Sequence, residues 1–323
     1  MNIWQTLPKP FLVLAPLEGV TDTVFRRIVA SCAAPDVFFT EFTSAGGLCS
    51  PGRAHVMQNL TFTKEESPLI AQLWGSDPLI MKEAVRSIAT LGFAGIDINM
   101  GCPDRTVMSH GCGAGMIETP DVAKSIIGAV KEGLKSADID IPVSVKTRIG
   151  KKTIITSDWI SFLLEQDIDA LTVHGRTAAE LSKVPAHWDE IGKAVQIRDA
   201  MKVKTVMIGN GDVADARDAE SKHKTYGVDG IMIGRGVFAN MWTFDRSRHP
   251  HVGTAKELLD IMERHITLFR DTWGGTKSYA LLKKFYKIYV NGFHDATTWR
   301  GQFMETNEYP EALELLQKLK ASI

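Results

Sequence analysis

Residues 1 to about 248 repeat one unit: a short β-branched run, a polar or glycine-rich loop, then an amphipathic helical stretch. Eight runs carry it: Phe11–Pro16, Asp36–Phe42, Pro68–Trp74, Gly95–Met100, Pro142–Arg148, Ala170–Gly175, Lys204–Asn210 and Gly230–Arg235. Helical spacing follows at Thr21–Cys32, Ile80–Leu91, Pro120–Leu134 and Ser157–Glu165. Strands that alternate with helices call for a parallel sheet, and eight such units predict closure into a (β/α)8 barrel. An open doubly wound sheet is the alternative. Against it, no G-x-G-x-x-G follows the first strand.

The alternation stops near Thr254. Ala255–Asp271, Ser278–Asn291, a segment before Glu305 and Tyr309–Ser322 carry 3.6-residue apolar spacing, broken at Gly274-Gly275 and Asn291-Gly292. Residues 249–323 are therefore expected to form a small α-helical domain, set against a barrel of residues 1–248. Within it, Lys277, Lys283, Lys284 and Lys287 interleave with Tyr279, Phe285, Tyr286 and Tyr289. Two readings stay open there: a solvated lysine face over core aromatics, or a platform for phosphates.

A chain that is 44% hydrophobic and 23% charged, with 27 glycines, suits a soluble globular protein with a substantial core. No run reaches bilayer length, and the N-terminus lacks a basic-then-apolar signal pattern. Cys32, Cys49, Cys102 and Cys112 show neither C-x-x-C spacing nor histidines at zinc distances, so no metal, no membrane and a reduced, cytoplasmic setting are expected. A formal net charge of -1 advertises no nucleic-acid partner for the molecule as a whole, though a local basic face is compatible with it.

Almost every predicted strand ends in a chemically able side chain. Glu18 follows the first, Glu41 and Gln72 lie in the second and third, and Asn99 and Cys102 close the fourth. Lys146 and Arg148 end the fifth, His174 the sixth, Asn210 the seventh and Arg235 the eighth. A barrel gathers these ends on one rim, the face that carries active sites. One such residue alone is commonly a helix cap. Eight loaded ends together point to a site.

The densest stretch is Asp97-Ile98-Asn99-Met100-Gly101-Cys102-Pro103. Glycine permits a sharp bend and proline cannot continue a ladder, so a thiol is held at the mouth of a strand with an amide three residues earlier. A glycine-rich loop, His110-Gly111-Cys112-Gly113-Ala114-Gly115, comes next.

Assembled in order, these pieces resemble the tRNA-dihydrouridine synthases, a flavin-dependent family. Ala15-Pro16-Leu17-Glu18-Gly19-Val20-Thr21-Asp22 is similar to the family's A-P-M-x-G-x-T-D, with leucine in place of methionine. Gln72-Leu73-Trp74-Gly75 resembles its Q-L-x-G, and the Asp97–Pro103 stretch its D-x-N-x-G-C-P. Val145–Arg148 resembles V-K-x-R, and Val173–Thr177 V-H-G-R-T. Asn210-Gly211-Asp212 and Gly234-Arg235-Gly236 complete the series. The loops Gly150–Thr153 and Leu181–Trp188 depart from it.

The resemblance implies FMN as cofactor, NADPH (or NADH) as electron donor and tRNA as partner, which makes residues 1–248 an FMN-binding catalytic barrel and residues 249–323 a helical RNA-binding domain; a monomer is expected. By it, Asn210, Gly211, Asp212, Gly234 and Arg235 are expected to cradle the FMN phosphate. Pro16, Leu17 and Glu18 would line its ring, Gln72 its pyrimidine edge, and Lys146 with His174 the electron-rich side. Asn99 and Arg176 would hold the substrate, uridines in tRNA. Cys102 would give a proton to C5 while the reduced flavin gives hydride to C6. A thiol of ordinary pKa, about 8.5, is mostly protonated at neutral pH and suits an acid rather than a nucleophile. The base must leave its stack to reach such a rim. Competing readings are an FMN barrel oxidoreductase acting on a free dihydropyrimidine or enone, an RNA-binding scaffold without catalysis, and a flavin-free lyase or isomerase.

Overall fold

The computed structural model describes residues 2–323. Eight parallel strands close on themselves: β1 (Phe11–Leu14), β2 (Phe38–Phe39), β3 (Leu69–Trp74), β4 (Gly95–Met100), β5 (Val143–Arg148), β6 (Ala170–His174), β7 (Val206–Asn210) and β8 (Gly230–Ile233). β1 pairs with β8, and the ring is completed by a bridge from Val13 to Val37, where Leu14 N–H donates to the Val37 carbonyl at 3.1 Å. The barrel expected from the alternating units is the fold.

Six long helices surround it: α1 (Thr23–Cys32), α2 (Pro78–Ile88), α3 (Pro120–Ser136), α4 (Thr156–Leu164), α5 (Trp188–Met201) and α6 (Ala216–Tyr226). Aspartates start three of them. Asp22, Asp77 and Asp215 each accept main-chain N–H groups of the first turn, and Pro78 occupies a position whose N–H would be unpaired anyway. After β2 and β8 the crossovers contain only short helical turns.

One strand is shorter than its sequence suggests. The Asp36–Phe42 run keeps strand form only at Phe38–Phe39, and Thr43–Ser44 pairs separately with the end of β3. Thr40 interrupts the ladder: its hydroxyl, not a main-chain carbonyl, accepts the Gln72 N–H at 3.0 Å. Strands one, six and eight also stop one or two residues early, where the rim loops begin.

The barrel interior divides into two halves. The lower half is apolar, filled by Trp4, Phe11, Val13, Phe39, Ile70 and Ile208. The upper half is polar. Gln72, Asp97 and Ser144 are register neighbours across β3, β4 and β5, and one layer higher Asn99, Lys146 and Thr172 are neighbours across β4, β5 and β6. A core gives up apolar packing in this way only where the polar groups are used.

Helices α7 (Ala255–Trp273), α8 (Ala296–Glu305) and α9 (Tyr309–Ser322) form the tail. The expected Ser278–Asn291 helix is instead a 3-10 turn at Tyr279–Phe285 followed by one α turn at Tyr286–Tyr289. Tyr279, Leu282, Phe285 and Ile288 are all buried, a spacing of three that matches the tighter helix. The tail rests on α1: Phe25 stacks on Phe285 with ring centroids 5.1 Å apart, and one apolar core runs through both parts. Among the described residues, no helix is long and apolar enough to cross a membrane.

Candidate active site

The rim loops enclose a cavity of about 610 Å³, lined by every residue expected to hold cofactor or substrate or to give the proton, while Glu41 of the loaded strand ends stays outside it. Pro16, Leu17 and Glu18 come from the loop after β1, Gln72 from β3, and Asn99 and Cys102 from the end of β4. Lys146 comes from β5, His174 and Arg176 from β6 and its loop, Asn210, Gly211 and Asp212 from β7 and its loop, and Gly234 and Arg235 from the loop after β8. Residues distant in sequence thus meet because parallel strands all point their C-terminal ends one way.

The Cys102 turn is pinned from several sides. Asn99 Oδ1 accepts the Gly101 and Cys102 N–H groups at 3.1 and 2.9 Å. Arg148 donates to the Gly101 carbonyl at 2.8 Å, and Ala114 N–H to the Cys102 carbonyl at 3.0 Å. Burial pushes the thiol up from its ordinary value, although Arg148 and Lys146 pull the other way. The sulfur is therefore held protonated at neutral pH.

Lys146 points from β5 into the same space, and its ammonium has no hydrogen-bond or ion-pair partner among the described residues. Burial and neighbouring Arg148 bring its pKa down to about 8, while Asp97 and Cys102 favour the charge. An unpaired, half-buried cation at a cavity wall fits an anionic or electron-rich ligand. His174 is held well below its ordinary pKa by burial and by the cations Lys146, Arg148, Arg176 and Arg235. It is a neutral imidazole. Because Arg176 Nη1 donates to its Nε2 at 3.2 Å, its own proton sits on Nδ1.

At the other end of the cavity, the main-chain N–H groups of Gly211, Asp212, Val213, Gly234, Arg235 and Gly236 make no hydrogen bond among the described residues. Gly211 is required there: its φ is +129°, and a Cβ would come within 2.7 Å of Ala186 Cβ. Main-chain N–H donors left free along one end of a cavity suit an anion.

Several of these side chains are already engaged with their neighbours. Arg176 is buried, donating to the Val184 carbonyl at 2.6 Å and to Asp212, so its guanidinium ties two loops together. The Asp212 carboxylate also accepts from Arg235 at 2.9 Å and from Ala186 N–H at 2.9 Å. It organises cations and leaves only its main chain for an anion. Asn99 Nδ2 donates to Gln72 Oε1 at 3.1 Å and Gln72 Nε2 to Asp97 at 2.7 Å, so each amide offers at most one free N–H to a ligand. Glu41 turns away to accept the Gly19 N–H at 2.6 Å. Three of the tail lysines are tied: Lys277 to Asp22 at 3.5 Å, Lys283 to the Met304 carbonyl at 2.6 Å, and Lys284 to the Gly19 carbonyl.

The sequence missed Phe42, Met232 and Ser182 as cavity walls and gave Asp97 no task. Asp97 had a signal, since it shares the inward face with Asn99 two residues on. Ser182 had none, because it sits in a loop without a repeating pattern.

A parallel barrel whose rim gathers a protonated thiol, an unpaired lysine and free main-chain N–H groups around one cavity defines a barrel enzyme site. A model of the dihydrouridine synthase family matches residues 13–323. The chain belongs to that family, whose product is a uracil ring with its C5–C6 double bond reduced. It is 43% identical over 325 residues to a probable tRNA-dihydrouridine synthase of Staphylococcus aureus (strain COL), covering 100% of this chain and 97% of that one. Over 318 residues it is 43% identical to probable tRNA-dihydrouridine synthase 2 of Bacillus subtilis (strain 168), covering 98% and 95%. Among solved structures, the old yellow enzyme from Trypanosoma cruzi superposes with a TM-score of 0.48 and 12% identity, over 71% of this chain and 85% of that one.

Proposed function

We propose that this protein reduces uridines in tRNA to dihydrouridine, with FMN bound in the rim cavity and NADPH as electron donor. The observation that carries the reading is that the Cys102 thiol and the unpaired Lys146 ammonium line one cavity whose far end is a cradle of free N–H groups. Those groups fit a flavin mononucleotide: the 211–213 and 234–236 main chain and Arg235 would hold its phosphate, and Lys146 with neutral His174 its ring. When bound, FMN supplies the hydride for C6 of uracil.

The protein supplies the rest. Cys102 gives the proton to C5, and burial keeps that proton on sulfur until it is needed. Asn99 and Arg148 hold the turn so that the thiol faces the cavity. A single remaining N–H on Asn99 is available for the uracil edge.

For the RNA, a second cleft of about 600 Å³ runs between the β8 loop and the tail. Arg235, Lys284, Lys287 and Arg300 line it, with no acidic residue among its walls. Arg235 belongs to both hollows, so a backbone lying in the cleft would bring a flipped base to the cavity mouth. Binding of this kind weakens with salt.

The purified protein is expected to be yellow and to release FMN on denaturation. Cys102→Ala should keep its flavin and its reduction by NADPH while uridine reduction in unmodified tRNA falls about 10²–10⁴-fold. Full activity in that variant, or faster oxidation of the reduced enzyme by free uracil derivatives than by tRNA, would overturn the reading.

A further inference from the structure

Asp97 does not line the cavity. It lies one layer below, fully buried, where its carboxylate accepts the Ser144 hydroxyl at 2.6 Å and Gln72 Nε2 at 2.7 Å. From there a chain of hydrogen bonds climbs to the site. Gln72 Oε1 accepts Asn99 Nδ2 at 3.1 Å, and Asn99 Oδ1 accepts the Gly101 and Cys102 N–H groups at 3.1 and 2.9 Å.

The direction of that chain is fixed by its ends. An ionised carboxylate only accepts, and main-chain N–H groups only donate. Between them, Gln72 must turn its NH2 down and its oxygen up, and Asn99 must do the same. Were either amide reversed, two donors or two acceptors would face each other inside the barrel. Unpaired buried polar groups are costly, so one orientation wins.

We propose that Asp97 is a positioning residue: it sets the direction of the Gln72–Asn99 amide relay and thereby locks the turn that presents Cys102. Its bearing on catalysis rests on Cys102 being the proton donor. Asp97 touches no reacting atom. An asparagine at position 97 would keep the shape and lose the direction, because its amide can show either oxygen or NH2 to Gln72, and Ser144 can donate or accept to suit. A reversed relay would aim Asn99 Nδ2 at the Gly101 and Cys102 N–H groups and release the turn.

The change should be reversible by moving the acceptor. In Asp97→Asn with Gln72→Glu, the carboxylate at 72 accepts from Asn99 Nδ2 on one side and from the new amide on the other. Asn99 Oδ1 again faces the turn.

The test is alkylation of Cys102 by iodoacetamide in the purified holoenzyme, followed by peptide mass spectrometry across pH. The rate constant at its high-pH plateau reports access and not ionisation. The pH dependence below it also reflects Lys146, Arg148 and Asp104, the charged groups facing the thiol. Asp97→Asn should raise the plateau at least threefold, leave Cys32 and Cys49 unchanged as internal controls, and slow tRNA-dependent oxidation at least tenfold. The double variant should return the plateau most of the way; its rate with tRNA is left out of the comparison, because Gln72 also borders the cofactor cavity. A plateau within 1.5-fold of the parent in Asp97→Asn, or a plateau in the double variant as high as in the single one, overturns the proposal. If Asp97→Asn does not fold, folding of the double variant supports the relay, and failure of both overturns it. Should Cys102→Ala prove fully active, the role of the thiol as acid falls, yet the plateau still decides what Asp97 does.

Discussion

Gly113 stands so close to Cys102 that a Cβ built on it would lie 2.7 Å from the cysteine carbonyl oxygen and 3.1 Å from its Cβ. Its φ of +56° lies in the left-handed region that side chains resist. The glycine-rich loop is thus the outer wall of the turn that carries the thiol.

Gly113→Ala must therefore push that turn. We expect flavin content to be kept, because the cradle residues lie on β7 and β8, across the barrel. Uridine reduction should fall at least tenfold, the cost of misplacing a reacting group by a fraction of its contact distance. Rapid-reaction kinetics of the two half-reactions separate the effects. Equal losses in reduction by NADPH and in oxidation by tRNA would show that the loop serves the cavity as a whole.

A second expectation concerns pH. Lys146 is brought down to about 8 by burial, whereas the Cys102 thiol is pushed up. On raising the pH the cation is lost before the thiol ionises, so the rate of uridine reduction should decline from about pH 8. In Lys146→Arg the decline should move to higher pH, since a guanidinium stays charged throughout. Lys146→Met should lose about 10²–10³ in rate and show no such limb. A limb near pH 8 that survives in Lys146→Arg would assign it to another group.

Much of this site was legible in the chain, because strand ends in a barrel converge and the ordered motifs sat on those ends. What could not be read was commitment. Arg176, Asp212 and Gln72 were visible as polar rim residues. Only the structure shows that Arg176 and Asp212 hold each other and that Gln72 is a link between Asp97 and Asn99. Residue type predicts what a group can do, but the neighbours that exhaust its hydrogen bonds come from other strands. The tail shows the same limit. Its lysines fitted either a solvated face or a phosphate platform, and three of the four turn out to hold main-chain carbonyls or Asp22.

That tie gives a third prediction. Asp22 caps α1 through Phe25 N–H at 3.0 Å and also accepts Trp273 Nε1 at 2.8 Å from the tail. Asp22→Ala removes both and leaves the buried indole N–H without a partner. The expected loss is about 2–3 kcal/mol, a helix cap plus an unsatisfied donor. Denaturant unfolding measures it. Flavin affinity should weaken as well, because Leu17 and Glu18 stand only a few residues from the lost anchor. A change in stability below 0.5 kcal/mol would mean that the tail holds on without Asp22.

The last prediction follows from Glu18, whose carboxyl is pushed up to about 7 by burial and by the nearby Glu41, against the pull of Lys277 and Lys284. In the unfolded chain the same group ionises near 4.5, so the folded form holds its proton longer. Stability contributed by the protonated carboxyl is present below about 4.5 and is lost as the pH rises towards 7. Glu18→Gln removes that loss. The apoprotein variant should melt higher than the parent at pH 8, and the difference should shrink at pH 5. The gain stays modest because the side chain is part-exposed and solvent screens it. Thermal melts at the two pH values decide the point: an equal difference at both would trace the effect to packing, and a lower melting temperature at pH 8 would show that the ionised carboxylate is paired with Lys277 or Lys284 more strongly than Glu41 repels it.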